Sequence, residues 1–318
     1  MSREIAFIDA LRGLASHPAA RGFADDAAVL EVGGAKFVLT HDMIVEGVHF
    51  LADDPPEDVA WKLLAVNLSD LAAKGAEPVG VLLGYSLGGG EWDAAFLRGL
   101  RQAIDTFGAP LLGGDTVATP PGAPRSFGLT AIGQAAGEVP SRSGAAAGDL
   151  LWVSGTIGDA GAGLRTLTGE LQGSPALVAA YRQPQPRLAW GKALAPLVSA
   201  MMDVSDGLLI DAARMADASG LACRIELRDV PLSPDFVQAA GEDRQARIDA
   251  GIAGDDYELL FTARPERSHE ITALSASLSL PLTRIGRFSP GTGLGVTDRG
   301  QPLPLPPRLG YEHAATIV

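Results

Sequence analysis

The chain has 318 residues, with 25 Lys+Arg against 38 Asp+Glu, a formal net charge of −13. Length allows two domains at roughly 100–200 residues each, while the acidic balance excludes nucleic acid, whose phosphates need clustered Lys and Arg, and an anionic membrane surface. The single cysteine, Cys223, excludes a disulfide framework and Cys-rich zinc or iron–sulfur sites, and a reducing cytoplasm is the expected setting.

No apolar run approaches the ~18–20 residues needed to span a bilayer. Residues 1–20 lack the cationic-then-apolar layout of a signal peptide. Ile5, Ile8, Leu11 and Leu14 recur near helical spacing and predict a short amphipathic helix packed on the body. Residues 29–32, Gly33-Gly34 and 36–40 read as a hairpin with a two-residue glycine turn. Residues 57–74 read as a helix, with acids at its start, Lys74 at its end and Gly75 beyond.

A strand is predicted over 78–87, a helix over 91–107, a short strand over 110–112 and a strand over 126–134. The segment 137–148, rich in Gly, Ala and Ser, reads as the joint between domains 1–137 and 138–318. A second α/β series follows: strand 150–154, helix 161–168, strand 199–204, helix 208–219, and strands near 223–227 and 257–262. The tail 302–307 is proline-rich and extended. The expected fold class is α/β (α+β), in two domains.

The 39 glycines exceed the roughly 22 that average usage gives a chain of this length. No G-X-Y period or low-complexity tract accounts for them, which assigns them to tight turns and to backbone approaching a ligand. Many stand beside carboxylates at the edges of apolar segments. Asp25-Asp26 precedes the hairpin and Thr40-His41-Asp42 follows it. A regular hairpin on Gly33-Gly34 places Asp25 opposite Asp42 and Asp26 opposite His41. Opposed like charges are destabilising, and if no Lys or Arg sits between them a divalent metal is one resolution. Splaying of both ends into solvent is the other.

Asp70 interrupts an otherwise apolar helix, where a carboxylate is costly unless paired or metal-bound. Lys74 one turn on offers an ion pair as the alternative to metal. Gly113-Gly114-Asp115-Thr116 follows a short strand, Asp203-Val204-Ser205-Asp206-Gly207 opens a helix, and Gly254-Asp255-Asp256 precedes a strand. Glycine lets backbone N–H groups approach phosphate, and carboxylates hold hard cations. Helix capping is the competing reading for Asp203 or Asp206.

Absences narrow the chemistry. There is no GxxxxGK(S/T), no GxSxG, no HExxH, and the glycines of 155–161 are not in GxGxxG spacing. What remains is a carboxylate-rich, glycine-rich, metal-dependent site suited to phosphoryl transfer.

These residues resemble the thiamine-monophosphate kinases of the aminoimidazole-ribonucleotide-synthetase-like superfamily. The matching stretches are 24–29 (ADDAAV), 40–50 (THDMIVEGVHF), 61–75 (WKLLAVNLSDLAAKG), 112–116 (LGGDT), 141–144 (SRSG), 151–163, 203–207 (DVSDG), 254–261 (GDDYELLF) and 310–313 (GYEH). The resemblance implies an N-terminal domain that dimerises into a shared barrel, a C-terminal α/β domain, and an ATP cleft between them. It implies ATP-dependent phosphorylation of thiamine monophosphate to the diphosphate by a cytoplasmic homodimer.

By matching position, the resemblance gives Asp25, Asp26, Thr40, His41, Asp42, Asp70, Asp115, Asp203 and Asp206 as ligands of several Mg2+ ions. Gly114, Asp115, Arg142 and Ser205 match ATP contacts, and His49, Asp255 and Tyr311 match contacts of thiamine monophosphate. An acid and an aromatic suit its cationic ring. No general base is implied, because a phosphate monoester with a second pKa of about 6 is already largely anionic at pH 7. Ala24 replaces a usual glycine, His41 a usual threonine and Asp255 a usual glutamate, and Ala314 stands where an aromatic is common.

The rival readings are a sister ATP-dependent enzyme with another acceptor and a non-catalytic nucleotide-binding regulator. Selenophosphate synthetases would need a reactive Cys near the N-terminus, and a regulator would be expected to lack several of these aspartates. Neither pattern is present.

Overall fold

The computed structural model describes residues 3–120 and 122–312, with side chains from residue 6 onward. His313 and Ala314, and the side chain of Ile5, lie outside the described residues. Helix α1 (Arg3–Arg12) leaves Ile8 and Leu11 half-buried and Phe7 exposed, and it touches the short turn Pro18–Phe23.

Gly33 and Gly34 take φ of 59° and 83°, which glycine adopts without the Cβ penalty and which suits a two-residue hairpin turn. Strands β1 (Ala28–Val32) and β2 (Ala35–Val45) pair in the predicted register, Val32 with Ala35 and Ala28 with Leu39. The pairing stops at Ala28, so Asp25 and Asp26 are not cross-strand partners of Asp42 and His41. Ala24 lies at φ −123°, a conformation that needs no glycine.

Helix α2 (Pro56–Ala73) is buried at every residue from Val59 on. Strand β3 (Glu77–Leu87), helix α3 (Gly90–Phe107), strand β4 (Leu111–Ala118) and strand β5 (Ser126–Ala135) complete the first half. The sheet order is β1-β2-β5-β3-β4. It is open, with β1 and β4 as edges, and the barrel expected from the resemblance does not close within this chain. Tyr85, Trp92, Phe96 and Phe127 stack at its centre with ring centroids 4.9–5.6 Å apart. Strand β4 runs six residues past the predicted 110–112 strand's Leu112, because Gly113 to Ala118 continue the parallel pairing with β3.

The second sheet has seven strands in the order β12-β11-β8-β10-β6-β9-β7. These are β6 (Leu150–Ser154), β7 (Ala200–Asp203), β8 (Ala222–Glu226), β9 (Leu259–Ala263), β10 (Leu282–Ser289), β11 (Gly293–Asp298) and β12 (Gln301–Leu303). Helices α4 (Asp159–Leu167), α5 (Pro175–Arg182), α6 (Leu188–Leu194), α7 (Leu208–Ser219), α8 (Pro234–Ala240), α9 (Arg244–Ile252) and α10 (Ser268–Leu278) flank it. The sequence reading lacked α5, α6, α8, α9, α10, β10 and β11. Most of these helices are only two or three turns, too short for a 3.6 period to stand out.

The halves meet along α2. At Gly191 in α6 a Cβ would lie 1.9 Å from the Ala72 carbonyl oxygen, so only glycine permits that approach. No helix among the described residues is long and apolar enough to cross a membrane.

Candidate active site

A cleft of about 1450 Å³ opens between the two sheets. The first half contributes Asp25, Asp26, Asp42, His49 and Asp70 to its walls. The second contributes Arg142, Asp203, Ser205, Asp206, Asp255 and Tyr311. Asp42 comes from β2, Asp70 from the last turn of α2 and Asp203 from the end of β7, so apolar segments deliver the carboxylates to one place.

The expected absence of a cation near Asp25 and Asp26 does not hold: three cations reach them, one of which, Arg21, stands only four residues before Asp25. Lys74 Nζ is 2.5 Å from Asp25 Oδ1 and 2.6 Å from Asp26 Oδ2, Arg21 is 2.6 Å from Asp25 Oδ2, and Arg142 pairs with Asp26. Burial opposes ionisation of both acids. Lys74, with Arg21 and Arg142, outweighs it and holds them below the usual carboxylate range. The Asp70–Lys74 ion pair does not form, since Lys74 spends its donors on Asp25, Asp26 and Met201 O, the last at 3.1 Å.

Asp42, Asp70 and Asp203 have no ion-pair partner among the described residues. Burial, then the charges of Asp26 and Asp206, pushes Asp42 up to about 6. Burial and the charges of Asp42 and Asp203 raise Asp70 well above its ordinary value, although Thr40 Oγ1 donates to it. Burial and Asp26 push Asp203 up to about 8, against a 2.5 Å hydrogen bond from Ser69 Oγ. Three carboxyls crowd together here without a cation, and each resists ionisation for that reason.

Neither Asp203 nor Asp206 caps a helix. The residue before α7 is Gly207, without a side-chain cap. Fully buried Asp211 shapes that loop instead, accepting from Ser205 N at 3.2 Å and Asp206 N at 3.1 Å. Arg214 reaches Asp206 at 2.5 Å and Asp211 at 2.8 Å and lines the cleft. Sequence reasoning missed both, although the i,i+3 spacing of Asp211 and Arg214 carried a weak signal.

No three His, Cys, Asp or Glu side chains are arranged to hold a metal ion among the described residues. Asp25, Asp26 and Asp206 are each engaged by a cationic side chain. The donor set still fits a hard cation, being all oxygen with three carboxyls that lack a cationic partner.

Not every expected ligand reaches the cleft. Thr40 stands behind Asp70. His41 is exposed, with Nδ1 2.9 Å from Thr130 Oγ1, and does not line the cleft. Gly114 and Asp115 are on the exposed edge strand β4. Asp42, Leu129, Leu83 and Gly114 form one row across the sheet, so Gly114 is three strand spacings of about 4.8 Å each from Asp42. Within one chain Asp115 is too far away to share an ion with Asp42.

Among the expected acceptor contacts, His49 Nδ1 accepts from Val45 N at 3.1 Å, and Tyr311 N donates to Asp206 O at 2.8 Å. Asp255 pairs with Lys62 at 2.7 Å and accepts from Tyr257 OH at 3.0 Å. The negative charge expected to face a cationic ring is therefore already engaged. Lys62 was not singled out in the sequence because its partner lies 193 residues away.

Residues 24–135 match the profile of AIR synthase related protein, N-terminal domain, and residues 146–299 that of the C-terminal domain. The thiamine-monophosphate kinase of Caulobacter vibrioides is 40% identical over 305 residues, covering 93% of this chain and 86% of that protein. The chain belongs to the thiamine-monophosphate kinase family. Solved structures of the family superpose on it. The thiamine-monophosphate kinase of Stenotrophomonas maltophilia K279a is 38% identical with a TM-score of 0.78, covering 94% of this chain and 96% of that one. AaThiL complexed with AMPPCP and TMP is 30% identical with a TM-score of 0.83, covering 97% of each chain. The family-like stretches THDMIVEGVHF, WKLLAVNLSDLAAKG, DVSDG and GDDYELLF fall on β2, α2, the β7–α7 turn and the entry to β9.

Proposed function

We propose that the protein transfers the γ-phosphoryl group of ATP to thiamine monophosphate, giving thiamine diphosphate and ADP. The observation that carries this is the meeting of Asp42, Asp70 and Asp203 with Arg142 and Arg214 in one cleft, in a chain of this family. An oxygen of the acceptor phosphate forms the new bond to the γ-phosphorus as the bond to the ADP oxygen breaks. The acceptor is already anionic, so the site needs no general base.

Asp25, Asp26, Asp42, Asp70, Asp203 and Asp206 would hold Mg2+, with Thr40 orienting Asp70 and the exposed His41 contributing at most its backbone. Magnesium, when bound, neutralises phosphate charge and aligns the reacting groups. Arg142, Arg214 and the Ser205 loop hold the ATP phosphates, where guanidinium groups bond phosphate oxygens in pairs. His49, Asp255 and Tyr311 hold the acceptor, with Asp255 N and Tyr311 N bonded to the Ser205–Asp206 loop. We divide the chain at 137/138 into an ATP- and metal-binding domain and a C-terminal α/β domain, and place the enzyme in the cytoplasm.

We also propose a homodimer built on β4. Leu112 and Val117 are 54% and 52% exposed on that edge strand, and an uncovered apolar edge is a pairing surface. Gly114 and Asp115 lie on the same strand, so assembly is the step that would bring them into a phosphate site. The test of function is incubation of purified protein with Mg-ATP and thiamine monophosphate, with chromatography of the product. Thiamine diphosphate is expected, and its absence alongside turnover of another phosphate acceptor would favour a sister enzyme.

A further inference from the structure

Lys62 is a buried cation with no part in the phosphate chemistry just described. It sits early in α2 and its side chain is 3% exposed. Its ammonium donates to His49 O at 2.9 Å and to Asp255 Oδ2 at 2.7 Å, and stands 3.9 Å from the centre of the Tyr181 ring. It therefore touches two residues assigned to the acceptor end, one from each half of the molecule. The aromatic face of Tyr181, itself lining the cleft, closes its third side.

Asp255 takes φ of 69°, a left-handed conformation that is costly for a residue with a Cβ. Lys62 on one carboxylate oxygen and Tyr257 OH on the other pin its side chain in that conformation. Neutralised by Lys62, the carboxylate has lost its net charge toward the cleft but keeps free lone pairs.

We propose that Lys62 is a positioning and specificity residue for the phosphate acceptor. It fixes Asp255 against the His49 backbone, so that Asp255 meets the acceptor as a hydrogen-bond acceptor for an N–H or amino donor rather than as a free negative charge. The inference rests on the functional reading above, in which His49 and Asp255 face thiamine monophosphate.

Steady-state kinetics of Lys62→Met, Lys62→Arg and the double variant Lys62→Met/Asp255→Asn test it. For Lys62→Met, the KM for thiamine monophosphate should rise on the order of 10- to 100-fold, as for loss of a charged hydrogen bond, with the KM for ATP unchanged. Lys62→Arg, which keeps the charge, should recover part of that loss, and so should the double variant, which leaves no buried charge unpaired. An unchanged KM for the acceptor in Lys62→Met overturns the proposal. So does a parallel rise in both KM values that neither second variant relieves, the signature of a purely structural role. If Lys62→Met does not fold, Lys62→Arg, which leaves Asp255 intact, is decisive: a raised acceptor KM with normal ATP KM supports the proposal, and wild-type values for both overturn it. Absence of product with the wild type overturns the functional reading itself, and is distinguished because no variant is needed to see it.

Discussion

Lys74 Nζ lies 2.5 Å from Asp25 Oδ1, and both side chains are almost wholly buried. The same ammonium is 2.6 Å from Asp26 Oδ2. Replacing it with Met leaves Asp25 to Arg21 and Asp26 to Arg142 alone, and removing one partner of a buried pair costs up to about 3–5 kcal/mol. Lys74→Met should therefore unfold at clearly lower urea than wild type. An unchanged midpoint would mean that Asp25 and Asp26 do not depend on this cation.

The carboxylates without cations should behave in the opposite sense. Asp42→Asn and Asp70→Asn remove unfavourable buried charge, so each variant should remain folded without metal and melt no lower than wild type. Both should lose turnover by at least on the order of 100-fold, the scale of a lost charge-stabilising group. Both should also lose much of the melting-temperature rise that Mg2+ gives the wild type. Full activity in either purified variant would sink the metal assignment.

Acid stability is predicted at a site away from the cleft. Burial works against the Asp93 carboxylate, but hydrogen bonds from Tyr85 OH, Gly88 N and Gly89 N bring it below its ordinary 3.8. A carboxyl with a depressed folded pKa stabilises the native state above the unfolded value, and that contribution is lost as pH falls through the folded value. Asp93→Ala should cost roughly 1 kcal/mol at pH 7. The gap between the two melting curves should narrow as pH drops below 3.8. A gap constant from pH 7 to pH 3 would refute the ionic reading.

Charging the exposed edge tests assembly. Leu112→Lys or Val117→Glu on β4 should convert a dimer into monomer in analytical ultracentrifugation, with the fold retained by circular dichroism. If Gly114 and Asp115 enter the site through assembly, turnover should fall with the dimer fraction. A monomeric wild type would dismiss the dimer proposal directly.

The hairpin register was legible because Gly33-Gly34 fixes it locally, and α2 because its apolar run, acidic start and Gly75 stop agree. The aspartates were legible because each interrupts or ends an apolar segment. Apart from Arg21, four residues before Asp25, their counter-charges were not. Arg142 lies 116 residues from Asp26, Lys74 lies 49 from Asp25, and Lys62 lies 193 from Asp255. No local spacing rule reaches across such separations. Short elements such as α6 (Leu188–Leu194) escaped for another reason: Gly191 earns its place by letting Ala72 approach, a property of the neighbour rather than of the segment.

Helix α2 bonds in both directions. Asn67 Oδ1 accepts from Asp42 N at 2.9 Å, while Trp61 Nε1 reaches Pro184 O at 2.9 Å and Ser69 Oγ reaches Asp203 at 2.5 Å. From Val59 on it has no solvent face to spare: its apolar residues to Leu71 pack in the first core, while Ala72 and Ala73 pack in a cluster with the second sheet. Cutting the chain after residue 137 would strip one side of this helix bare, and residues 1–137 expressed alone would present a sticky apolar stripe. The two halves should therefore melt as one cooperative unit. An engineer seeking tolerant positions for mutation or insertion should look everywhere but here.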